Sequence, residues 1–218
     1  MALRAGTVLA EGDPTRWLPP GAVSRTDYVA PLPTTNDGSL AGTSATGLAR
    51  AIEGISEGEL AVLPVAGPWT ADSVVDLVEI SSATPGCVLL ANGRTGHLWG
   101  SRPSLHLLLG HLLGASGSAP APDWDVGHFL QILAAAWGPS GTLVALHDTY
   151  PGLGWDGHHL QPAGTLAAAL ERGDGAESGV LILCQTPGTG TLRERLEAAG
   201  FELRQWDNGN PDSERRGA

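Results

Sequence analysis

The chain has no lysine. All twelve of its basic residues are arginine, against 23 acidic ones, and Met1 is the only methionine among 218 residues. Without lysine there is no Schiff-base chemistry and no lysine of the kind that P-loops and kinases set against phosphate. The glycine-rich run Thr186-Pro187-Gly188-Thr189-Gly190-Thr191 is therefore not a Walker loop. A net charge of −11 with scattered arginines leaves no basic face for a phosphate backbone, so nucleic acid is excluded as a partner. No apolar stretch reaches the ~18–20 residues that a membrane helix needs. The longest one, Leu105 to Leu113, is broken by His106, Gly110 and His111. The first residues show no charged segment followed by an apolar one, so cytoplasmic residence is the expectation. The two cysteines, Cys87 and Cys184, are too few for a disulfide framework. Each sits in an apolar, strand-like run and is expected to be a buried, inert thiol.

Glycine and proline are abundant instead, 31 and 16 residues. This excess, with arginine in place of lysine, is the signature of a GC-rich coding sequence rather than a functional device. Residues 1–40 hold five prolines and are expected to be an extended arm with a short edge strand near Tyr28-Val29. Residues 41–207 are expected to form a single α+β domain, and residues 208–218 a polar, frayed tail. Ser or Thr before an apolar periodic run predicts helices starting at Thr43-Ser44, Thr70 and Ser104. Further helices are expected after Pro162 and over Leu192–Ala199. Strands are expected over 60–65, 87–91, 127–137, 142–147, 180–184 and 201–206. Gly138-Pro139-Ser140-Gly141 reads as the turn of a hairpin. That hairpin breaks a strict βαβ alternation and favours a mainly antiparallel centre over a doubly wound sheet.

The densest chemistry lies between residues 123 and 162, where four of the seven histidines fall. His128 opens one hairpin strand and Asp148 closes the other. Each is ten positions from residue 138, so pairing about that point brings imidazole and carboxylate together on one side of the sheet. A carboxylate there fixes the ring's tautomer and stabilises the imidazolium, which is the base-and-orienter half of a nucleophilic triad. The glycine-rich stretch 150–162 is expected to be a loop, with Tyr150, Trp155 and His158 lining a substrate cleft.

Gly127-His128-Phe129-Leu130-Gln131-Ile132-Leu133, followed by the hairpin and Leu146-His147-Asp148-Thr149-Tyr150-Pro151, resembles the bacteriocin-processing, double-glycine leader peptidases and their papain-like relatives. The resemblance covers about residues 125–151. It implies a papain-like α+β fold, a mainly antiparallel central sheet flanked by helices, with His128 as general base and Asp148 as its orienter. It implies thiol-dependent hydrolysis or acyl transfer at a peptide amide, with a peptide or protein substrate and no cofactor. Such enzymes place their cysteine at the start of an early helix, and neither Cys87 nor Cys184 is so placed. Two expectations follow. Either a cysteine-bearing helix lies upstream of Met1, or the protein is a non-catalytic relative with Ala41-Gly42 where a Cys-Gly pair would stand.

Other readings remain open. A peptide-binding or scaffold protein on the same fold is the first alternative. A metal-dependent hydrolase using His147, Asp148, His158 and His159 is the second, although adjacent histidines on an extended segment point opposite ways. His97, in Thr95-Gly96-His97-Leu98-Trp99, is a reserve candidate for the base, and Ser44 is expected to cap a helix rather than act as a nucleophile.

Overall fold

The computed structural model describes residues 43–100, 103–120, 125–149, 155 and 157–210. The expected arm, its Tyr28-Val29 strand and Tyr150 lie outside these residues. Three helices begin where hydroxyl side chains satisfy their orphan amides. Ser44 Oγ accepts the Gly47 N–H at 3.0 Å ahead of α1 (Ala45–Ile55). Thr70 and Ser73 exchange bonds in a capping box ahead of α2 (Ala71–Ser82). Ser104 accepts the Leu107 N–H ahead of α3 (Leu105–Leu112).

The strands are β1 (Leu60–Val65), β2 (Val88–Arg94), β3 (Gly127–Trp137), β4 (Thr142–His147), β5 (His158–Pro162) and β6 (Gly179–Gln185). They form one sheet in the order β1-β6-β2-β3-β4-β5, every pair antiparallel. Two more helices complete the described part, α4 (Ala163–Glu171) and α5 (Thr189–Ala198). The protein is thus α+β with an antiparallel sheet flanked by helices.

Side chains alternate across the sheet and sort into separate cores. Leu63, Ala91, Leu130, Leu146 and Ile182 pack with α2, α4 and α5 on one side. Val62, Phe129, Leu181 and Leu183 pack with α1 and Trp206 on the other. A third, smaller cluster joins α3 to Leu143 and Leu160 of the β4–β5 end. At the start of β6, glycine is required by close approach. A Cβ on Gly179 would meet the Val65 carbonyl and come within 2.8 Å of the Trp206 ring.

Several expectations need correcting. Residues 158–162 are a strand rather than loop, because Leu146 and Val144 pair with His159 and Gln161 and draw the segment into the sheet. Residues 201–206 are not a strand. Glu202 exchanges backbone bonds with Ala66 and Gly67 just beyond β1. Asn208, assigned by composition to the tail, is buried and donates to the Thr43 carbonyl at 3.0 Å. The hairpin closes with Trp137 opposite Thr142, so its centre lies between residues 139 and 140 and not at 138. A β-bulge then shifts the register between Ile132 and Ala134, and Leu133 is the extra residue. Among the described residues no helix is long and apolar enough to cross a membrane.

Candidate functional site

The bulge decides where His128 points. Beyond it Gln131 pairs with His147, and continuing that register sets Asp148 opposite Leu130. His128 and Asp148 are therefore diagonal neighbours two residues apart, on the side of Leu130 and Leu146 that packs against α4. Diagonal neighbours are within reach of long side chains. The imidazole Nε2–H donates to Asp148 Oδ1 at 3.1 Å. Both residues are enclosed, at 2% and 3% exposure. With the proton on Nε2, the neutral ring keeps its basic lone pair on Nδ1.

Room for the ring comes from β2, and a second glycine fixes the backbone at Asp148. Gly93 faces His128 on β2. It carries no side chain because a Cβ there would press on the Ala169 carbonyl of α4 at 3.0 Å. On the β5 side, Gly157 adopts φ +81° and adds no side chain to a space already filled by the Asp148 carbonyl and the His147 ring. Its carbonyl accepts the Asp148 N–H at 2.7 Å, which fixes the backbone under the carboxylate.

His159 is a third buried imidazole on this side of the sheet, 7% exposed, with Nε2 lacking any hydrogen-bond partner. Burial holds it below its ordinary value, opposed by the Asp148 carboxylate and assisted by the fields of His128, His158 and His147. Burial thus favours its neutral form beside the His128–Asp148 pair. Its side follows from the alternation of β5, which pairs His159 with Leu146.

The four residues of the metal reading are divided by the same alternation. His147 and His158 stack on one side of the sheet, ring centroids 4.5 Å apart, while Asp148 and His159 lie on the other. No cluster of three or more His, Cys, Asp or Glu with metal-binding geometry occurs among the described residues. His158 Nδ1–H donates to the Trp155 carbonyl at 3.2 Å, and Trp155 is exposed. These two expected cleft residues are therefore together, on the side of the sheet away from His128. His97 is not an alternative base at the pair; its Nε2–H donates to the Arg172 carbonyl at 3.0 Å.

Neither cysteine approaches the pair. Cys87 immediately precedes β2, and Gly93, across from His128, is six positions on. At about 3.3 Å per residue this separates them by about 20 Å. Cys184 lies beside Cys87, and burial pushes its thiol up to about 11.

A charged clasp sits one residue from His128. Arg94, paired with Gly127, donates to Asp125 and to Asp174 at 2.7 Å each. Arg172, at the end of α4 with φ +61°, holds Asp174 through two further bonds of 2.9 and 2.7 Å. The clasp ties the ends of β2 and β3 to the end of α4. Those guanidinium bonds lower the Asp174 carboxyl from its ordinary 3.8 to about 2, Arg172 contributing most. A carboxyl more acidic folded than unfolded contributes stability above its unfolded value and loses it as pH falls through its folded one. The thermal midpoint is expected to drop between about pH 4 and pH 2, and Asp174→Asn should flatten that drop in a melting series against pH.

A family model described as a family of unknown function matches residues 1–207. No curated protein and no solved structure matches the chain.

Proposed function

The chain belongs to that family, DUF6885, whose function is open, and we propose that it is a papain-like acyl-transfer domain acting on a peptide amide, with His128 as general base and Asp148 as its orienter. One observation carries the reading: the enclosed Nε2–Oδ1 bond of 3.1 Å, which leaves Nδ1 as the basic nitrogen. In this role Nδ1 takes the proton of a thiol as its sulfur attacks the amide carbonyl, then returns it to the leaving amine. Asp148 stabilises the imidazolium formed between those two steps. The α+β sheet flanked by helices supports the reading. The thiol is neither Cys87 nor Cys184, on distance and acidity.

Two facts favour a second reading. A domain whose own thiols are about 20 Å from its base, and whose base is 2% exposed, suits a peptide-binding protein that keeps the pair without turnover.

The test supplies the missing nucleophile. A peptide thioester and a small added thiol are incubated with the protein, and acyl exchange is followed by mass spectrometry. The expected result is exchange above background that falls by about 10²-fold or more in His128→Ala and in Asp148→Asn. Equal rates in the wild type and both variants would remove the base role. Peptide binding without exchange, measured by tryptophan fluorescence, would select the second reading.

A further inference from the structure

Helix α3 turns an uncovered apolar ridge to solvent. Leu105, Leu109 and Leu113 are 69%, 49% and 70% exposed, and a spacing of four sets them in one row. In the neighbouring row Gly110 follows His106, and its missing side chain leaves a shallow groove, bounded where Gly114 lies against Ser140 of the hairpin turn. Gly110 is a poor helix former in mid-helix. Nothing inside the molecule requires it, since a Cβ there would meet only the Ala115 Cβ at 3.4 Å, an ordinary contact.

The described segments that flank the ridge carry no acidic or arginine side chain. Residues 103–120 and 126–147 contain no Asp, Glu or Arg, in a chain of net charge −11. They adjoin, because the Ser140 N–H of the hairpin turn donates to the Leu112 carbonyl at 3.1 Å.

We propose that this ridge and groove form the contact between two copies of the chain. Net negative charge makes two copies repel on average, so a neutral surface is where they meet at the least electrostatic cost. A two-fold axis sets the leucine ridge of each copy into the glycine groove of the other, and the missing side chain at Gly110 allows the backbones to approach. Lipid is the poorer fit, because neither segment carries an arginine for an anionic headgroup. A two-turn ridge is the centre of a small interface, so association is expected in the micromolar range.

Sedimentation equilibrium of the full chain from about 1 to 200 μM tests this. The wild type is expected to pass from monomer to dimer, and Leu109→Glu to remain monomeric throughout. Gly110→Gln fills the groove while favouring the helix; it is expected to be monomeric with an unchanged or higher melting temperature. This second variant keeps the test decisive if Leu109→Glu fails to fold. A wild type monomeric at every concentration, a dimer that survives both substitutions, or co-sedimentation of the monomer with phosphatidylcholine vesicles would each overturn the proposal.

Discussion

Asp148→Ala is expected to destabilise the protein by about 3 kcal/mol, because it leaves the His128 N–H enclosed without its acceptor. His128→Leu alone should cost a comparable amount, since it removes the imidazole to which a carboxylate of only 3% exposure is bonded. The double variant His128→Leu, Asp148→Val is expected to cost at least about 2 kcal/mol less than the sum of its parts. Leu130, Leu146 and Ala169 already surround the site with apolar contacts, and an apolar pair would join them. Urea denaturation of the four proteins closes the cycle. Additive losses would show that the two side chains do not depend on each other. Strong coupling carries a further meaning. A buried ionic or polar pair that apolar residues can replace is not needed for folding, and its chemistry is then what accounts for it.

Gly179→Ala is expected to have the second large effect, a loss of about 3 kcal/mol. The added methyl would press on the Val65 carbonyl and on the Trp206 ring. The first is backbone of a paired strand, and the second is a buried indole closing the α1 core. Neither can swing aside as an exposed side chain would. A companion variant supplies the opposite sign. Gly54 lies in α1, and an alanine methyl at this position would have no neighbour within 4 Å, so Gly54→Ala should stabilise the helix by about 0.5–1 kcal/mol. Equilibrium unfolding of the two variants should move the midpoint in opposite directions. A shared direction would mean that helix propensity and close approach have been wrongly assigned.

Much of this architecture was legible in local chemistry. Ser44, Thr70 and Ser104 each precede a helix, because a hydroxyl at that position satisfies amides that nothing else reaches. The apolar runs at 60–65 and 180–184 became paired strands for an equally local reason. Segments whose conformation depends on distant partners were not legible. Residues 158–162 are polar and flanked by glycine, and only pairing with β4 makes them a strand. Residues 201–206 have strand-like alternation, yet Glu202 makes its two backbone bonds to Ala66 and Gly67, beyond the end of β1, and the segment does not join the sheet. His128 and Asp148 were expected together, and they are, although the pairing drawn about residue 138 is not the one that brings them there. His159, the third buried ring, was visible only as one of two adjacent histidines. The Arg94–Asp125–Arg172–Asp174 clasp spans residues up to 80 apart in the chain, and no spacing rule joins them.

The single extra residue in β3 has a consequence for how this protein can change. At the hairpin tip, Trp137 faces Thr142. Extended unbroken, that register would leave His128 and Asp148 on opposite sides of the sheet. Leu133 changes the count from odd to even, and the imidazole turns to meet the carboxylate. The position of the ring is thus held as a parity. Losing one residue between 129 and 137 would send it to the other side, and losing a second would bring it back. Insertions and deletions in this hairpin should therefore be tolerated in twos, while point substitutions along the same strand leave the count untouched.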